Sequence, residues 1–179
     1  MNPQSILGFW FEETKPSQHF AKNEAFDALI RARFSEVHRA AAQGELFEWR
    51  EHAEGRLAEI IVLDQFSRNL FRDRPEAFAC DGMALVLVQE AVGLGVDQTL
   101  LPAHRVFMYM PYMHSESRAI HVIAERLFHQ PGIEANLEYE LKHKAIIDRF
   151  GRFPHRNAIL GRGSTAEEIA FLDRPDSSF

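Results

Sequence analysis

Residues 56–71, RLAEIIVLDQFSRNLF, constrain the fold more than any other stretch. Ile60, Ile61, Val62 and Leu63 are consecutive, so they cover every side of a helix, and a helix apolar all round belongs in the centre of a protein. Asp64 follows directly, one turn beyond Ile60 and Ile61, which sets a carboxylate into the apolar stripe. Burying that charge unpaired costs on the order of several kcal/mol. Asp64 therefore requires a cationic or donor partner. Arg68, one turn later on the same face, is the nearest candidate; an arginine from the C-terminal part of the chain is the other.

The other convincing segments also have helical spacing, while sustained alternation and Asn-Gly or Asp-Gly hairpin turns are absent. The expected class is all-α. A short first helix, about Ser5 to Glu12, carries Ile6, Leu7, Phe9, Trp10 and Phe11, more apolar surface than it can hide alone. Asn23 caps a long helix with Phe26, Leu29, Ile30, Phe34, Val37 and Ala41 on one face, ending at Gly44. Asp73 and Pro75 start a helix running to Val92, stopped by Gly93 and Gly95. Pro102 opens another, which Pro111 kinks or ends just before His114. Further helices are expected over about Glu116–His129 and Glu134–Phe150. Ser164-Thr165-Ala166-Glu167 reads as a capping box for a last helix through Leu172, with 173–179 a frayed tail. Short loops favour antiparallel neighbours, so the expectation is a single domain, 1–179, built as a stack of helical hairpins. No 34-residue repeat is visible.

Against a formal charge of −6, residues 148–162, DRFGRFPHRNAILGR, hold four arginines and one aspartate, a local +3 that leaves −9 for the rest. Gly151 ends a helix and Pro154 suits the first position of a new one, whose free amides at His155, Arg156 and Asn157 would favour an anion. An acidic chain with a pI near 5.8 makes nucleic acid an unexpected partner, since phosphate contacts need a broad basic surface. No apolar run approaches the roughly 20 residues that span a bilayer, and no leader pattern opens the chain. Cys80 stands alone, which fits a reducing, cytoplasmic setting.

Several stretches together, ILGFWF at 6–11, AFDALIRARF at 25–34, LDQFSRNLFR at 63–72, PYMHSES at 111–117 and HKAIIDRFGRFPHRNAILGR at 143–162, give the chain a resemblance to the DUF924 family, mostly bacterial proteins without an established activity. The resemblance implies a helical, TPR-like fold and supplies no reaction, cofactor or catalytic assignment. Departures from the family pattern include Asp73, where it usually has Gly, Ser67, where it has Pro, and His19, where it has Trp.

Asp64, Arg68, Asn69, His114, Glu116, His143, Arg152, His155, Arg156 and Asn157 are the candidate ligand-binding residues, because guanidinium forks match carboxylate and phosphate geometry. The bland alternative spends the same arginines on Asp64, Glu116 and Asp148 to hold the C-terminal helices. Asn69 is favoured as a cap of the central helix. Glu140 and His143 have the Glu-x-x-His spacing of di-metal bundles, but no second copy exists, so no metal is expected. Without a Gly-rich phosphate loop or a Gly-x-Ser-x-Gly elbow, no cofactor is expected either. Two function classes follow: binding of a small anionic molecule or peptide carboxylate, and hydrolysis by His114 with Glu116 or Asp64 as an acid–base pair. A docking module is a third, with Trp10 and Phe11 pointing to a homo-oligomer if they are exposed.

Overall fold

The apolar segment forms the axis. In the computed structural model, which describes residues 1–175 and 177, a continuous helical rod runs through α4 (Ala53–Ile61), a π turn at Val62–Phe66 and α5 (Ser67–Leu70). Leu57, Ala58, Ile60, Ile61, Val62, Leu63 and Phe66 have no exposed surface. The π turn is one residue wider than an α-turn, a feature that recurs at functional sites, and Asp64 stands in its middle.

The chain wraps this rod with helices only, among the described residues. Asn2 caps α1 (Pro3–Gly8), which widens into a π turn over Phe9–Glu13; α2 (Pro16–His19) follows. Asn23 caps α3 (Glu24–Ala42) by accepting from the Phe26 amide at 3.0 Å. Then come α6 (Asp81–Gly93), α7 (Pro102–Met113), α8 (Arg118–Phe128), α9 (Leu137–Phe150) and α10 (Ala166–Leu172). Helix α1 packs on α4 and α3 on α5, while α7, α8 and α9 pack in succession. Phe9, Trp10, Phe34 and Phe66 interlock, with Phe34 and Phe66 centroids 4.9 Å apart and Trp10 and Phe66 5.6 Å apart. No described helix is long and apolar enough to cross a membrane.

Several local expectations need correcting. Leu29 lies on the exposed side of α3, because the apolar stripe drifts past it. The helix expected from Asp73 to Val92 is broken: Pro75–Phe78 is a 3-10 turn, and α6 starts afresh at Asp81 after Cys80. Pro154–Arg156 is one 3-10 turn, not the start of a helix. The capping box forms one residue later than expected, between Thr165 and Glu168. Trp10 is fully buried and Phe11, partly buried, stacks on His104 at 4.1 Å, so the exposed pair of aromatics considered from the sequence is not present. In the tail, Asp173, Arg174 and Pro175 are exposed, whereas Ser177 is buried and donates to the Leu172 carbonyl at 3.0 Å; residues 176, 178 and 179 lie outside the described residues.

Candidate functional site

Asp64 faces inward as the sequence requires, and both expected kinds of partner are close. His114, the residue after α7, sets its Nδ1 2.8 Å from Asp64 Oδ1. Arg68 Nη1 lies 3.0 Å from the same oxygen and donates to the Asp64 carbonyl at 2.8 Å. Gln65 Nε2 donates to the second carboxylate oxygen. Burial alone would raise the Asp64 carboxyl, but Arg68 and His114 outweigh it and hold it below the usual carboxylate range. Asp64 is thus an anion, so the His114 Nδ1 carries the proton of their bond and Nε2 keeps the lone pair. Burial and the positive Arg68 lower the His114 pKa despite Asp64, so the imidazole is neutral near pH 7.

His114 lines an open cleft of about 370 Å³ together with Phe78, Asp81, Ser115, Glu116 and Arg156. Asp81, at the start of α6, ties the cleft together: it accepts both arms of Arg68 at 3.0 and 3.1 Å and a longer bond of 3.3 Å from Arg156. Arg156 is buried and sandwiched between the rings of Phe78 and Phe153, each 4.6 Å from its guanidinium carbon. Its Nε has no hydrogen-bond partner among the described residues. Burial, reinforced by Arg68, pulls its pKa down to about 10. Burial and Arg156 likewise pull His155 down to about 4, and the His155 Nδ1 is buried without a partner. Two buried polar atoms, one on the cleft-lining Arg156 and one on its neighbour His155, therefore have hydrogen-bonding capacity unspent among the described residues, which is uncommon for buried atoms.

The remaining residues of the basic island are committed elsewhere. Glu116 accepts both arms of Arg162 at 2.6 and 2.9 Å, and the Phe153 amide at 2.8 Å. Arg152 is bidentate to Glu168 at 2.6 and 2.8 Å, away from the cleft lining. Arg149 pairs with Glu167, and Asp148 with Lys144. Asn157 bridges Ser164 and Arg162. The amides of Arg156 and Asn157 close the 3-10 turn on the carbonyls of Phe153 and Pro154, so they do not form an anion-binding helix end. Asn69 neither caps the central helix nor reaches the cleft; it donates to Asp27 at 2.8 Å on the far side of α5. His143 lies behind His114, ring centroids 6.3 Å apart, with its Nδ1 on the Tyr139 carbonyl. Glu140 is drawn to the buried His121 at 2.7 Å, and among the described residues no group of three His, Cys, Asp or Glu is placed to hold a metal.

Sequence reasoning overlooked Asp81 and took Phe78 only as an inward-facing core residue, not as a wall of the cleft. The only signal for Asp81 was an acidic residue at a helix start, and that start was hidden because neither Ala79 nor Cys80 is a helix breaker.

Comparison with known proteins agrees with this architecture. Residues 6–176 match the family model described as a bacterial protein of unknown function, DUF924. The solved structure of a protein of unknown function from Agrobacterium tumefaciens is similar at 40% identity, with a TM-score of 0.90 over 96% of each chain. No curated protein matches the chain.

Proposed function

The chain belongs to the DUF924 family, whose function is unknown, and from its geometry we propose that the cleft beside His114 binds a small anionic molecule or a peptide carboxylate in the bacterial cytoplasm. The observation that carries this reading is Arg156: a guanidinium held flat between two rings in the lining of an open cleft, with one long bond to Asp81 and its buried Nε unspent among the described residues. Such a fork suits a carboxylate or phosphate, and its position is fixed before any ligand arrives. Asp64, Arg68, Asp81 and His155 set its surroundings, and His114 supplies a neutral ring nitrogen beside it.

Thermal melts at low salt with inorganic phosphate, acetate or a short peptide test the proposal. A ligand at a hundredfold its Kd stabilises by about 2.7 kcal/mol, which raises the Tm of a protein this size by roughly 5–11 °C. Arg156→Lys keeps the charge but loses the fork, and should remove most of that rise. If none of the anions shifts the melt, or if Arg156→Lys shifts equally, the binding reading is wrong.

A second reading is favoured by the Asp64–His114 bond. A carboxylate that fixes the imidazole tautomer and leaves a neutral Nε2 beside a cleft is the arrangement of a general base. On this reading the bound anion is a substrate, and His114 takes a proton from water or from the ligand itself. A panel of esters, phosphoesters and amides separates the readings: turnover lost in folded His114→Gln supports catalysis, and silence across the panel leaves binding alone.

A further inference from the structure

A second and larger hollow lies on the other side of α5. It is a groove of about 710 Å³ between one face of α3 and the segment from Leu70 to Cys80. Arg31, Ser35, His38, Arg39 and Ala42 recur at helical spacing, so α3 presents a single side to it. The floor is mostly carbon, from Ala42, Leu70, Phe71 and Ala79. The rim carries Arg31, Arg39, Arg72 and Arg74 against a single Glu76, a concentrated positive edge on a chain whose formal charge is −6.

The four arginines are not equally committed. Arg72 is spent on the buried Asp27, to which it donates twice. Arg74 and Arg39 hold solvent-exposed pairs with Glu76 and Glu36, of the kind worth about 0–1 kcal/mol and released at little cost. Arg31 makes no direct ion pair among the described residues; its guanidinium reaches the Leu70 carbonyl at 3.3 Å, and its charge helps hold down the pKa of the buried Asp27, which Arg72 already pairs. An apolar floor beside under-compensated guanidinium groups asks for a ligand with both parts, a hydrocarbon body and an anionic end. The volume fits one small molecule, within the roughly 300–1,000 Å³ of such sites, and is too small for a protein partner's footprint.

We propose that this groove is a binding site for an acyl anion, its chain on the Phe71 floor and its carboxylate on Arg31 and Arg39. The site shares Ala79 with the lining of the cleft at His114 but none of that cleft's charged residues.

The test is calorimetric titration of the full chain with decanoate, compared with acetate, which has the head alone, and octyl glucoside below its micelle threshold, which has the chain alone. Decanoate should bind at least about tenfold more tightly than either, because only it uses both parts. The double variant Arg31→Ala, Arg39→Ala should weaken decanoate about tenfold. Ser35→Trp, at an exposed groove-facing position, should block it without touching the core. His114→Gln and Arg156→Lys should leave the part of decanoate binding that Ser35→Trp blocks unchanged, which separates failure here from failure of the anion cleft. Decanoate no tighter than octyl glucoside, or full affinity in Ser35→Trp, would each overturn the proposal.

Discussion

Lowering the pH from 7 to about 5 should destabilise this protein through histidines that the fold keeps uncharged. His143 is buried, with its Nδ1 donating to the Tyr139 carbonyl at 2.7 Å, and burial, reinforced by His114, His121 and Arg156, brings its pKa to about 3. In the unfolded chain the same ring titrates near 6.5. Between those values the unfolded state holds a proton that the native state lacks. Stability is therefore fully present above about pH 6.5 and falls, as pH falls, by about 1.36 kcal/mol per unit. At pH 5 His143 accounts for about 2 kcal/mol, and His155, whose pKa is about 4, for a similar amount. Together they lower the Tm by roughly 8–16 °C. Carboxylates held low by arginines, such as Asp64 and Glu116, act mainly at more acid pH, because even unfolded they titrate near 4. Urea unfolding of the parent and of His143→Gln at pH 7, 6 and 5 measures this directly. The variant should lose about one proton's worth of slope. Equal slopes, or a parent protein equally stable at pH 7 and 5, would refute the reasoning.

Three further substitutions probe other parts of the structure. Asp64→Asn removes the charge between His114 and Arg68 and should cost about 3 kcal/mol in urea at neutral pH, the lower end for a broken buried pair, because Arg68 keeps Asp81; a cost under about 1 kcal/mol would mean that the carboxylate is not needed there. Gly55→Ala should fail to give folded protein by circular dichroism, since a Cβ there would sit 1.9 Å from the Trp49 carbonyl oxygen; normal folding refutes the close approach. Asp73 has a φ of 61°, so Asp73→Gly should raise stability by about 1 kcal/mol, the exposed Lys22 pair it gives up being worth less; a lowered Tm would show the pair to matter more than the strain.

Much of the fold was legible because burial leaves a periodic trace. The run Ile60–Leu63 announced a central helix, and the isolated Asp64 within it announced a partner. Gly151 stops α9 in the left-handed conformation, φ 71°, as its position suggested. The site was legible only in part. His114 and Arg156 meet at one cleft, but Arg152, Asn157 and Asn69 are spent on Glu168, Arg162 and Asp27, since local charge density does not reveal which carboxylates the fold brings near. Asp81 escaped notice for the same reason: it lies 75 positions from Arg156 in sequence. The departure from the family pattern at Asp73 also gains a physical meaning, because the glycine usual there takes that backbone angle without strain.

The widened turn at Val62–Phe66 has a consequence for how the chain tolerates change. An additional residue in one turn advances the phase of everything beyond it by about 100°, so α4 and α5 present their faces out of step. Deleting a single residue there would restore an uninterrupted α-helix while rotating Arg68 away from Asp81, leaving the hydrophobic content of the rod nearly intact. Length in this segment is thus under tighter restraint than composition: an apolar residue can be exchanged for another, but the count between Ile61 and Ser67 cannot alter without dismantling the cleft.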